Sequence, residues 1–284
     1  MYTSLFLRPL LNVALSTPSL RGAKAASSTF DLIMELHEYY VDLHIHSVLS
    51  PCADLEMGAS DIVKKCRSEG ISIIAVTDHN HVANFIALRD AVESEPGEPL
   101  LVLPGMEVQS MEDIHTVVIF PDEDTAYKYK DWLWQKMPEI KNKENKFGFQ
   151  LIIDKDNNVL DQVEVLLIQG VMRSVDEISS EAMNLGCIVI MAHIDRPSFS
   201  YEAVLGPLPD EFQCNAVELS PLVTASEIPI WHKKYPHRTF IRSSDSHKLD
   251  QISRSRCCKM MLGELSFEEV RRALGNEDGR KVII

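Results

Sequence analysis

Short apolar runs rich in β-branched residues alternate along this chain with segments of helical periodicity, and that alternation restricts the fold more than any other feature. YYVDLHIH (39–46) reads as a strand. Residues 58–69 place Ile62, Val63 and Cys66 at helical spacing, with Gly70 as a stop signal. ISIIAVTD (71–78) is almost continuously apolar, as expected of a strand buried on both faces. A helical stretch at 81–94 precedes two further strands, LLVLPGMEV and IHTVVIF. Segment 123–145 reads as one polar helix carrying Trp132 and Trp134, and Asp156-Asn157-Asn158 as the turn of a hairpin. A helix at 175–185 ends at Gly186; CIVIMAH (187–193), NAVELS (215–220) and TFIRSSDSH (239–247) are strands; SFEEVRRAL (266–274) is a late helix with Ser266 as its cap. Strands alternating with helices predict a parallel α/β fold, and 284 residues suit a single α/β barrel.

Residues 1–33 stand apart. The first thirty contain no Asp or Glu, three basic residues and eight Ser or Thr. That composition fits an organelle transit peptide, or an upstream extension ahead of a start at Met34. We expect the extension, poorly packed, with one domain over 34–284. Formal net charge is −14, which argues against a broad basic surface for nucleic acid but leaves room for a local phosphate pocket. No apolar run reaches the ~18 residues that span a bilayer. The six cysteines form no CxxC pair, so a reducing cytoplasmic setting is expected.

The chemistry lies in the polar residues that close the apolar runs. His44 and His46 end the first strand, Thr77, Asp78 and His79 the second, and Glu107 the third. His115 opens the next run, His193 closes CIVIMAH, and Asp245 and His247 close the 239–247 run. Side chains at strand C-termini converge on one rim of a barrel, so residues two hundred apart can share a site. His44 and His46, two apart on a strand, point the same way and can bind one ion. Imidazole and carboxylate suit Zn, Mn or Fe. The set exceeds one tetrahedral site, so two or three divalent metals are expected.

DLHIHS (42–47), TDH (77–79), PGMEV with IHTVVIF, AHIDRP (192–197) and SSDSH (243–247) together resemble the PHP (polymerase and histidinol phosphatase) family of metal-dependent phosphoesterases. The resemblance implies a distorted (β/α)7 barrel with a trinuclear site at the C-terminal end of the strands. It carries over His44, His46, His79, Glu107, His115, His193, Asp245 and His247 as metal ligands, with Glu107 bridging; all of these except His115 are also the expected catalytic residues. One departure stands out. Many members have an Asp five residues after the second His, where this chain has Pro51. Asp54 is the expected ninth ligand, Glu56 a lesser substitute, and Cys52 is read as an ordinary loop cysteine.

The expected reaction is phosphoester hydrolysis by a metal-bridging hydroxide. Arg196 is the expected phosphate contact, against a structural ion pair with Asp195 or another acid. Asp78 and Asp42 are read as carboxylates that orient imidazoles, and His81 as a solvated first-turn residue rather than a proton donor. His37, His232 and His237 are read as ordinary residues. The substrate expected is a small phosphorylated metabolite, a nucleotide or a short oligonucleotide. A 3′–5′ exonuclease-like activity, a histidinol-phosphate phosphatase and a catalytically silent metal-binding interaction domain stand as alternatives. No membrane partner is expected, and the oligomeric state stays open.

Overall fold

The computed structural model describes Glu35–Ile284, which cluster as one unit. The N-terminal extension or targeting peptide expected at 1–33 lies outside the described residues. In chain order the elements are β1 (His37–Ile45), α1 (Ala59–Glu69), β2 (Ile71–Val76), α2 (Asn84–Ser94), β3 (Leu101–Gln109), β4 (His115–Ile119) and α3 (Glu123–Trp134). There follow α4 (Glu144–Phe147), β5 (Leu151–Ile153), β6 (Val159–Gln162), α5 (Val175–Asn184), β7 (Ile188–Met191), α6 (Tyr201–Leu205) and β8 (Ala216–Leu219). The chain ends with α7 (Ile228–Lys234), β9 (Phe240–Arg242), β10 (Cys258–Leu262), α8 (Phe267–Leu274) and β11 (Lys281–Ile283).

Nine strands form one sheet in the order β11-β10-β1-β2-β3-β4-β7-β8-β9. β1-β2-β3 and β7-β8-β9 are parallel runs. The sheet nearly closes: Ile45 bridges Ser246 beyond β9, and the His46 N–H donates to the Ser246 carbonyl at 3.0 Å. Alternate residues of the strands serve two cores. Val41, Leu43, Ile73, Ala75, Ile190 and Ile241 pack in one cluster with Val270, Ala273 and Leu274 of α8. Ile74, Val76 and Val102 pack on the other face against Ile62 and Val63 of α1 and Phe85 and Leu88 of α2. Two buried faces explain why ISIIAV shows no polar alternation.

The expectation of parallel strands needs correction at β4 and at the edge strands β10 and β11, where β10 pairs antiparallel with β1 and with β11. β4 pairs antiparallel with both β3 and β7. Only residues 110–114 join β3 to β4, far fewer than the dozen or so a parallel crossover requires. The turn is set by Asp113 in the left-handed region (φ 63), whose carboxylate accepts from Gln109 Nε2 at 2.9 Å. Because β4 runs backwards, its first residue, His115, stands on the rim where its neighbours end.

The helix expected over 123–145 is also shorter. α3 stops at Trp134, and only Glu144–Phe147 is helical again. Pro138 brings no N–H and disfavours helical geometry at Met137, which ends the run. The local signals otherwise hold. Gly70 caps α1 with φ 68, Ser266 Oγ accepts the Glu269 N–H, and β5 and β6 form the hairpin around Asn157 (φ 67). No helix among the described residues is long and apolar enough to cross a membrane.

Candidate metal centre

Eight of the nine expected metal ligands meet at the rim. Glu107, at the end of β3 and about 1% exposed, is the hub. Its Oε1 lies 2.9 Å from His115 Nδ1 and 3.3 Å from the Nε2 atoms of His44 and His193. Its Oε2 lies 3.2 Å from His79 Nδ1 and 3.3 Å from His46 Nε2. Asp245 forms a second focus: Oδ1 is 3.4 Å from His44 Nε2, 3.3 Å from His46 Nε2 and 3.6 Å from His247 Nδ1. Three overlapping triplets, His44/His46/Asp245, His79/Glu107/His115 and His46/His79/His247, each bring their ligand atoms within 4.8 Å of one another.

Hydrogen bonding behind the ring fixes which nitrogens face inward. His44 Nδ1 is 3.2 Å from both oxygens of Glu218, an acceptor-only group, so Nδ1 carries the proton and Nε2 presents a lone pair. Ser50 Oγ donates to Asp78 Oδ1 at 2.7 Å and accepts the His79 N–H at 3.1 Å. Its remaining lone pair meets His46 Nδ1 at 2.9 Å, which turns His46 Nε2 inward as well. The two Nε2 atoms lie 3.2 Å apart, beside two carboxylates. Nitrogens and carboxylates held this close need protons or metal ions between them. Asp245 Oδ1, His79 Nδ1 and His115 Nε2 are buried without a hydrogen-bond partner, as donors awaiting a metal would be. The residues present therefore fit divalent metal ions.

The electrostatics agree. Burial opposes a charge on His46, yet the carboxylates of Asp245 and Glu107 beside it push it up to about 9. Burial would raise Glu107, but the imidazoles of His115, His44 and His79 hold it well below the usual carboxylate range. The pocket thus concentrates negative charge that protons and metal ions compete for. Strain marks the same place: His193 (φ 29) and Asp245 (φ 48) both hold left-handed backbone conformations. Asp113 and Asn157 hold the same conformation in turns, but at the rim it aims two side chains at the cluster.

Asp54 does not join the cluster. Its side chain is half exposed and lies 3.4 Å from Lys248 Nζ, while its backbone N–H donates to the His247 carbonyl. Glu56 is exposed too. The loop turns both acids outward, and Cys52 lines the cavity where the expected carboxylate would stand. Arg196 pairs with Asp245, Nη2 to Oδ2 at 2.6 Å, and not with Asp195, which accepts from Ser220. Arg196 also lines the cavity above the ligands. Asp78 acts as expected, through Ser50. Asp42 does not: it holds the Ser244 N–H at 2.9 Å and so shapes the loop that carries Asp245. His81 is buried rather than solvated. Its Nδ1 accepts the Ala83 N–H at 3.1 Å, under the ring of Trp134. Exposed His37, His232 and His237 stay outside the site.

Glu218 was not anticipated. It is about 1% exposed and also accepts the His193 N–H at 3.2 Å. Its signal was available: a lone acid closing an apolar run, as in the other motifs. The cavity over the site measures about 310 Å³, with Gln109, Ile168 and Phe199 completing its wall.

The fold has known counterparts. A lesion-specific endonuclease from Pyrococcus furiosus superposes with a TM-score of 0.60 at 16% identity, covering 87% of this chain and 58% of that one. An endonuclease Q complex with a 27-mer duplex substrate gives 0.59, at 16% identity over 86% of this chain and 58% of that one. A protein from Bifidobacterium adolescentis, assigned as a metal-dependent phosphoesterase, gives 0.52 at 15% identity over 86% of this chain and 98% of that one. This chain thus spans under two thirds of the endonuclease's length. No curated protein matches the sequence. The PHP domain model matches residues 42–212, which takes in the rim residues from His44 to His193; Asp245 and His247 lie beyond it and are brought to the same rim by the fold. That match covers more than half the sequence, and this chain is a member of the PHP domain family.

Proposed function

We propose that this protein hydrolyses phosphoesters, using two or three divalent ions of Mn, Zn or Fe held by His44, His46, His79, Glu107, His115, His193, Asp245 and His247. The observation that carries the reading is the pair of inward Nε2 atoms of His44 and His46, 3.2 Å apart and walled by Glu107 and Asp245 beneath an open cavity. Divalent metals in such a site supply Lewis acidity towards phosphoryl oxygen and water. The chain supplies orientation. Glu218 and the Asp78–Ser50 pair lock two imidazoles, and Asp42 anchors the loop bearing Asp245. Arg196, about a third exposed and tied to Asp245 by one nitrogen, has further donors in a planar fork suited to phosphate oxygens. The cavity suits a small phosphorylated metabolite, a nucleotide or the end of a short oligonucleotide.

A second reading, incision of damaged DNA, is favoured by the likeness to the endonuclease structures. The net charge of −14 opposes it, since duplex binding draws on cationic surface. Hydrolysis of p-nitrophenyl phosphate and bis-p-nitrophenyl phosphate by the Mn-loaded protein tests the first reading and separates monoesterase from diesterase. Release from either is expected, with turnover lost and fold kept in His193→Ala and Asp245→Ala. Failure on both, with cleavage of a duplex carrying an abasic lesion, would favour the second; failure on all three refutes the enzymatic account.

A further inference from the structure

Phe199 is the one large apolar side chain in the cavity wall that is exposed rather than packed. It is 42% exposed, and none of the hydrophobic clusters among the described residues includes it. Its ring stacks on the imidazole of His115, centroids 4.7 Å apart and planes 22° from parallel. One face is therefore covered, and the exposure falls on the rest of the ring. Its backbone is left-handed (φ 58), a conformation bulky residues avoid, and its carbonyl is tied to the His115 N–H at 2.8 Å. The fold thus holds an exposed aromatic ring in a disfavoured conformation in the wall of the cavity.

The surroundings say what would lie on that ring. Arg196 begins the same short turn, which Ser200 Oγ closes by donating to the Arg196 carbonyl at 2.7 Å. A single loop therefore presents a guanidinium for phosphate and an aromatic ring beside it. Glu107 touches His115, and His115 touches Phe199, so the ring stands one imidazole away from the ligand hub. Ile168, from the segment between β6 and α5, adds another apolar side chain to the same cavity.

We infer that Phe199 is a stacking platform that selects phosphoesters bearing a nucleobase, making a nucleotide the preferred substrate. This rests on the phosphoesterase reading for what happens to the phosphate, but not for the stacking itself. The test compares adenosine 5′-monophosphate with ribose 5-phosphate on the Mn-loaded protein. Affinity is read as KM where phosphate is released and as a calorimetric Kd where it is not. Base–aromatic stacking is worth roughly 5- to 150-fold in affinity, about 1–3 kcal/mol. Wild type should prefer the nucleotide by at least about fivefold. That ratio should collapse towards one in Phe199→Leu and persist in Phe199→Trp, with metal content equal in all three proteins. Equal affinity for the two ligands in wild type, a ratio retained by Phe199→Leu, or one lost in Phe199→Trp would each overturn the inference. A base preference without phosphate release would sustain it while refuting hydrolysis of these monoesters.

Discussion

Replacing Glu218 with Gln isolates what a carboxylate behind a proposed metal ligand contributes. Both Glu218 oxygens lie 3.2 Å from His44 Nδ1, and Oε1 also accepts the His193 N–H. The glutamate can only accept, so it holds the Nδ1 proton in place and leaves Nε2 free to bind metal. A glutamine of nearly the same volume keeps one oxygen for the His193 N–H but can turn its NH2 towards His44. That turn moves the imidazole proton to Nε2 and removes a ligand. Loss of such an outer partner typically costs 10–100-fold in metal affinity, or about 1.4–2.7 kcal/mol. The metal-free protein should lose less, because the buried volume and the backbone bond survive. Competition against a chelator of known affinity measures the first quantity, and thermal unfolding of the metal-free protein the second. Unchanged metal affinity in Glu218→Gln would refute the assigned tautomer, and with it the argument from the inward Nε2 atoms.

Two predictions concern groups outside the ring. Asp54→Ala should leave metal content and turnover unaltered and shift stability by no more than about 0.5 kcal/mol, since an exposed ion pair with Lys248 contributes little; loss of metal in elemental analysis would restore it as a ligand. Glu269 is buried and accepts from Arg280 Nε and the Gly263 N–H, both at 2.7 Å. Burial pushes its carboxyl up, but the Arg280 and Gly263 bonds prevail and hold it below the usual range. Its contribution is therefore complete above the ordinary glutamate range and is lost as pH falls through and below it. Glu269→Gln should cost about 3 kcal/mol in urea unfolding at neutral pH, with the difference from wild type narrowing in acid. A gap independent of pH would show that the pair is not electrostatic.

Which parts were legible from sequence follows from where the physics is local. His44, His46, His79, Glu107, His193 and the Asp245/His247 pair each close an apolar run, and a strand's end is where the barrel gathers side chains. Gly70 and Ser266 carry their conformational meaning in themselves. Asp54 failed because a loop's orientation is decided elsewhere. Gly148, at φ +100, lies so close to the Pro51 carbonyl that an added Cβ would stand 2.2 Å from it, so the hairpin region packs on that loop and constrains it. β4's reversal was readable from its short connection, but alternating elements suggested parallel strands. β10 and β11 went unread because they lie after the last motif and pair antiparallel on the edge of β1. His81 and Phe199 have no periodic signal; one is buried by Trp134 and the other left exposed by a turn. Glu218 was hidden in a strand read only for its apolar residues.

Elemental analysis of the purified, desalted protein tests the central claim most directly, because everything argued about the rim depends on cations balancing Glu107, Asp245 and the inward imidazoles. The account predicts about two or more tightly bound divalent ions per chain, falling by about one or more in Asp245→Ala with the fold intact. Fewer than about one ion per chain in the wild-type protein, after incubation with Mn, Zn or Fe, would contradict it.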